Sequence, residues 1–234
     1  MLKVIPSESR GTTKLDWLDS KHTFSFGDYY NPEMVRFGPL RVINEDWVAP
    51  GQGFGAHPHR DMEIITYVCE GALQHRDSMG SGEVITAGEV QHMTAGQGVI
   101  HSEFNASKDT TCHLFQIWIM PNAQGLKPSY SQQRVEWKAN DWTLLATSTE
   151  SADDAPLKIH QDVELFGARI DEGRELSYGV KRGSVWMQIS RGEVKVGDTV
   201  VTAGDGVAVR DEATVSLVAL KDAEVLLFDV RMAS

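Results

Sequence analysis

The stretch GFGAHPHRDMEIITYVCEG, residues 53–71, decides how the chain is read. A glycine-rich run leads into His57 and His59, one residue apart. An apolar, β-branched segment, Ile64-Ile65-Thr66-Tyr67-Val68, follows and stops at Gly71. That composition and length predict a strand. Alternate residues of a strand share a face, so the two imidazoles would stand side by side with Cα atoms about 6.5 Å apart. A lone His-x-His is a weak signal, because exposed histidines need no special explanation. Its meaning depends on what the rest of the chain brings to it.

Strand signals extend in both directions. LRVINEDWVAP (residues 40–50) is rich in β-branched residues and ends at Pro50-Gly51, and HLFQIWIMP (113–121) is almost continuously apolar and stops at Pro121. No stretch keeps a helical period over three turns. Many short strands between Gly, Pro, Asn and Ser turns predict an all-β sandwich or barrel. From Asn122 to about Ala155 the sequence turns polar and turn-rich, like a connection with short elements of its own. The β pattern then resumes as an echo of the first half. Ile85-Thr86-Ala87-Gly88-Glu89 and Val201-Thr202-Ala203-Gly204-Asp205 are the closest pair. The echo predicts two copies of one β-unit, residues 1–135 and 136–234.

With 41% apolar and 24% charged residues, the composition is that of an ordinary globular protein. The net charge of −11 argues against phosphate contacts with nucleic acid and against an anionic membrane surface. Residues 1–10 carry no long apolar stretch and no run spans a bilayer, so a cytoplasmic protein is expected. Cys69 and Cys112 lie in strand-like segments and are expected as free thiols rather than a disulfide.

Seven of the eight histidines fall in the first half. Beside His57 and His59, the segment GVIHSEF places His101 and Glu103 two apart in the same way. Two antiparallel strands offering two such side chains each can surround one cation. Imidazole nitrogen and carboxylate oxygen suit Fe, Zn, Cu, Ni, Co or Mn, and three or four protein ligands leave positions open for substrate. Glu63 is a competing carboxylate: a ligand, a partner of a ligand, or a solvated strand residue. His75 precedes a hairpin turn and is expected at the surface. His92 is expected in a structural role, His22 as a hydrogen-bonded packing residue, and His113 and His160 on strand faces. Phe54, Phe104 and Met93 flank the ligand segments and are candidates for a pocket mouth or for core.

PGQGFGAHPHRDMEIITYVCEG resembles the first cupin motif, with Gly51, His57, His59 and Gly71 in place, and TAGQGVIHSEFN resembles the second, with Gly98, His101 and Asn105. Most cupins take their carboxylate from the first motif, here Glu63, although its spacing to Gly71 is one residue too long. In the pirin branch the carboxylate follows the second-motif histidine by two residues, where Glu103 stands. WLDSKHTFSFGDYYNP and HLFQIWIMP also look like pirin segments, and the resemblance covers essentially the whole chain. It implies a bicupin of two packed β-barrels of the double-stranded β-helix or jelly-roll type, with the metal in the N-terminal barrel alone. Setting GVIHSEF on GVAVRDE puts Val209 at the place of His101 and Asp211 at that of Glu103, in keeping with a second barrel that lacks ligands.

The resemblance further implies a quercetin 2,3-dioxygenase-like oxidoreductase holding one divalent metal ion, iron first and Zn, Cu, Ni, Co or Mn as alternatives. Its ligands would be His57, His59, His101 and Glu103, with Glu103 also the catalytic base. Its partners would be a small aromatic flavonol and dioxygen, and the chain would be a monomer. The alternative the resemblance allows is a metal-containing redox or ligand sensor that regulates transcription or metabolism through protein contacts. An open pocket over the metal would favour catalysis; an exposed apolar patch elsewhere would favour a partner.

Overall fold

A computed structural model describes residues 1–232. Almost all regular structure is β, and the only helix among the described residues is a single 3-10 turn at Ser7–Ser9. The chain divides into two compact units.

The first unit comprises Gly11–Val135 with Ile159–Gln161. Its strands, numbered along the whole chain after β1 (Leu2–Ile5), are β2 (Gly11–Lys14), β3 (Leu18–His22), β4 (Leu40–Val48), β5 (Gly53–His59), β6 (Glu63–Glu70), β7 (Ala72–Asp77), β8 (Val84–Thr86), β9 (Glu89–Thr94), β10 (Val99–Asn105), β11 (Cys112–Ile119) and β12 (Ser129–Arg134). They form a seven-stranded sheet in the order β12-β9-β6-β11-β4-β3-β2 and a four-stranded sheet in the order β5-β10-β7-β8. The strands lie in two sheets, not in one closed ring, as in a jelly roll. β6 and β11 sit mid-sheet, and their near-continuous Ile, Val, Leu and Phe runs are buried. Leu18, Val48, Val68, Leu73, Ile85, Cys112 and Leu114 pack together as a core cluster of this unit. Burying a Val or Leu side chain stabilises by about 1.5–3 kcal/mol.

The second unit comprises Met1–Arg10, Glu136–Lys158 and Asp162 onward. Besides β1 it holds β13 (Thr143–Ser148), β14 (Leu157–Ile159), β15 (Val163–Ile170), β16 (Glu175–Gly179), β17 (Ser184–Arg191), β18 (Glu193–Val196), β19 (Thr199–Thr202), β20 (Gly206–Arg210), β21 (Thr214–Ala219) and β22 (Ala223–Val230). The sheets run β1-β20-β17-β22-β15-β13-β14 and β16-β21-β18-β19. The sheet sizes and the inner strand order repeat those of the first unit, while the edge strands come from different places in the chain, and the two Thr-Ala-Gly turns noticed in the sequence fall at matching places, between β8 and β9 and between β19 and β20.

Two sequence expectations are corrected. Residues 1–10, expected in the N-terminal unit, belong to the second, because β1 pairs along β20 from Leu2↔Val209 to Ile5↔Gly206. β1 thus fills the sheet edge that β12 fills in the first unit. The counterpart of β10 is β21, not the segment carrying Val209 and Asp211. Val209 lies on β20 in the core, and Asp211 sits in the following turn with φ 58°.

Candidate metal centre

β5 and β10 pair antiparallel with His57 opposite His101. The register then slips, so that Glu103 faces Phe54. Such a bulge re-aims the side chains around it. Gly53 makes the pairing possible: a Cβ there would lie 2.1 Å from the Glu103 carbonyl oxygen. The slip and the His-x-His periodicity together turn three imidazoles toward one point. Ligating nitrogens of His57, His59 and His101 all lie within 4.8 Å of one another, and Nε2 of His57 is 3.0 Å from Nε2 of His101.

Nδ1 of His57 is 2.7 Å from the Gly55 carbonyl, which can only accept, so Nδ1 carries the proton and Nε2 presents a lone pair. Burial, followed by the charges of His101 and His57, lowers the His59 pKa to about 4. Burial, followed by His57 and His75, lowers that of His101 to about 3. Both rings are neutral near pH 7 and available as ligands. Close-set imidazole nitrogens with lone pairs turned toward one another fit a shared divalent cation and would repel without one.

Glu103 stands beside this cluster. It is 2% exposed, and one carboxylate oxygen accepts from Gln116 Nε2 at 2.8 Å. Thr66 Oγ1 in turn donates to Gln116 Oε1 at 3.2 Å, fixing the amide. Glu103 forms an overlapping group with His101 and His75, again with ligand atoms within 4.8 Å. Of the four residues expected as ligands, three converge tightly and the fourth flanks them.

A cavity of about 210 Å³ opens over His57, His59 and Glu103. Leu18, Phe26, Phe54 and Trp118 give it apolar walls. Trp118 meets the His59 ring edge-on at 4.9 Å. His22, Asn44, Ser20 and Asp46 make an opposite polar side. His22 is buried and hydrogen-bonded, as expected, to Asn44 Oδ1 at 2.9 Å and Thr13 Oγ1 at 2.8 Å. Ser20 donates to Asp46. Of the three flanking apolar residues, Phe54 lines the cavity, Met93 is core and Phe104 is exposed.

Glu63 lies in a separate cluster. It is fully buried and accepts from His92 Nε2 at 2.7 Å, Thr94 Oγ1 at 3.1 Å and the backbone N–H of His160 at 3.2 Å. His75, expected at the surface, is fully buried. The signal for it was present: His75 alternates with Leu73 on one face of β7, and Leu73 is core. Gln116, Thr66 and the polar side of the cavity had no signal in the sequence, because they meet only through the pairing of distant strands. Neither Cys69 nor Cys112 forms a disulfide, and burial pushes the Cys112 thiol up to about 12.

The two-sheet units and the histidine cluster define a bicupin. Residues 4–119 match the pirin family and residues 145–230 match the quercetinase C-terminal cupin domain. The chain is 44% identical over 231 residues to quercetin 2,3-dioxygenase of Escherichia coli (strain K12), covering 98% of this chain and 99% of that one. It is 39% identical over 226 residues to a pirin-like protein of Caulobacter vibrioides, covering 96% and 97%. The crystal structure of a bacterial pirin from Escherichia coli in complex with nickel(II) superposes with a TM-score of 0.93 at 42% identity, over 100% of both chains. The chain therefore belongs to the pirin family. No helix among the described residues is long and apolar enough to cross a membrane.

Proposed function

We propose that the chain is a metal-dependent dioxygenase that opens flavonols such as quercetin. Its metal would be held by His57, His59, His101 and Glu103, with iron the first candidate and nickel the ion named for a relative. The observation that carries the reading is three imidazoles converging beside an aromatic-walled cavity that His57, His59 and the buried carboxylate of Glu103 line. The open cavity also favours catalysis over a purely protein-binding sensor.

When bound, a divalent ion supplies Lewis acidity that lowers the pKa of a substrate hydroxyl. The remaining work falls to side chains of this chain. Phe54, Phe26 and Trp118 offer faces and edges for a planar aromatic ligand. Glu103 is placed to take the hydroxyl proton as general base. Gln116 holds one Glu103 oxygen in place, and Thr66 holds Gln116. The apolar walls limit water around the reacting ring.

The test is oxygen uptake by metal-quantified protein with quercetin, run beside His57→Ala. Uptake proportional to bound metal, with loss of flavonol absorbance and none in the variant, is expected. No uptake from protein loaded in turn with Fe, Mn, Co, Ni and Cu would overturn the reading.

A further inference from the structure

Behind His101, on the side away from the cavity, Asp77, His75 and His101 stand in line. Asp77 Oδ2 is 3.0 Å from His75 Nε2, and both side chains are fully inaccessible. His75 Nδ1 is 3.5 Å from His101 Nδ1. Gln91 Nε2 lies 3.3 Å from the same His75 nitrogen. The His75 ring is held flat against Tyr130, with centroids 4.7 Å apart and planes 27° apart. Asp77 is itself fixed, because its other oxygen accepts from the N–H groups of Met79 at 2.8 Å and Ser81 at 3.0 Å.

We infer that Asp77 and His75 are positioning residues that set the tautomer of His101, an inference that rests on His101 being a metal ligand. A carboxylate oxygen can only accept, so His75 keeps its proton on Nε2 and presents a bare Nδ1. The Gln91 amide N–H points at that nitrogen, as it must if the nitrogen is an acceptor. His101 Nδ1 faces it as well and therefore carries a proton. The Nε2 of His101, 3.0 Å from that of His57, is then left with its lone pair toward the cluster. The chain from carboxylate to imidazole to imidazole fixes a ligand two residues away from the charge that orients it.

His75 also belongs to the group with His101 and Glu103, but its Nδ1 is taken up by two donors and its Nε2 by Asp77. It acts through His101 and not as a ligand. The substitution Asp77→Asn keeps the turn acceptor and replaces the inner oxygen by an N–H donor. His75 must then accept at Nε2 and protonate Nδ1. Gln91 can follow by turning its amide, since its Oε1 is buried without a partner. His101 must accept at Nδ1, which moves its proton to Nε2, into the cluster.

The experiment is nitrogen NMR of the imidazoles in the metal-free, full-length protein, combined with cobalt(II) affinity from chelator competition. Wild type is expected to show His75 protonated on Nε2 and His101 on Nδ1. Asp77→Asn is expected to show both reversed and to bind cobalt(II) about 10–100-fold more weakly. A purely packing role for Asp77 would leave the tautomers unmoved. If Asp77→Asn does not fold, His75→Phe keeps the stack on Tyr130 and removes the acceptor, and a mixed His101 tautomer with weaker cobalt(II) binding is expected. Wild-type His101 protonated on Nε2 would overturn the inference, as would Asp77→Asn with wild-type tautomers and affinity. Correct tautomers in a wild type that binds no cobalt(II) would uphold the relay and overturn the metal reading instead.

Discussion

The two units share one strand order and differ in what fills the space beside the smaller sheet. In the first, β5 and β10 present His57, His59, His101 and Glu103. In the second, the matching strands β16 and β21 present Leu176, Tyr178, Val215, Leu217 and Ala219, all buried in one apolar cluster. Tyr178 keeps its hydroxyl bonded to Asp229 at 2.9 Å, and burial, then the charge of Asp229, raises its pKa. The same fold therefore carries a histidine cluster in one copy and an apolar core in the other. Chemistry resides in side chains at a few strand positions rather than in the topology.

This contrast can be broken or sharpened by substitution. The largest effect is expected from His101→Ala or His57→Ala: bound metal falls to near zero by elemental analysis while the β-type circular dichroism persists. Equal metal content would sink the ligand assignment. Glu103→Gln comes next, retaining much of the metal while turnover falls about 10²–10⁴-fold, the range for losing a general base. Leu217→Ala in the second unit should leave metal content and turnover unchanged yet destabilise by about 2–5 kcal/mol in denaturant unfolding. A loss of metal there would mean that the second unit contributes to the site.

The smallest expected effect belongs to Glu63→Gln, with metal content unchanged and stability lower by about 1–3 kcal/mol, since buried donors lose a charged acceptor. Its pH dependence has a definite sign. Burial alone would raise the Glu63 pKa, but the hydrogen bond and charge of His92 and the His160 N–H outweigh it and hold it below the ordinary value. A depressed carboxylate contributes stability above its unfolded pKa and loses it as pH falls through the folded one. Denaturant-unfolding stabilities of wild type and Glu63→Gln should therefore differ less at low pH than near neutrality. Loss of metal from Glu63→Gln, with Glu103→Gln unaffected, would restore the ordinary cupin pattern and contradict the pirin one.

The histidine pairs were legible because strand periodicity alone places residues two apart on one face, so each half of the cluster is local in sequence. The duplication was legible in its Thr-Ala-Gly turns, where a tight turn restricts residue choice. Those turns also misled: the likeness of GVIHSEF to GVAVRDE matched β10 to β20, although pairing makes β21 its counterpart. The edge position of β1 carries no side-chain signature, since main-chain hydrogen bonds specify it. His75 was misplaced because RDSMG reads as an exposed turn, and only one residue of β7, Leu73, faces inward ahead of it. Glu63 could not be assigned to its cluster, because His160 reaches it from 97 positions away.

The most direct test of the asymmetry is an anomalous-scattering map, at the metal's absorption edge, from crystals of the metal-loaded protein. One peak per chain, bounded by His57, His59 and His101 with Glu103 beside it, is the predicted result. A peak at Glu63, a peak beside β16 and β21, or no peak between the three histidines would contradict the account.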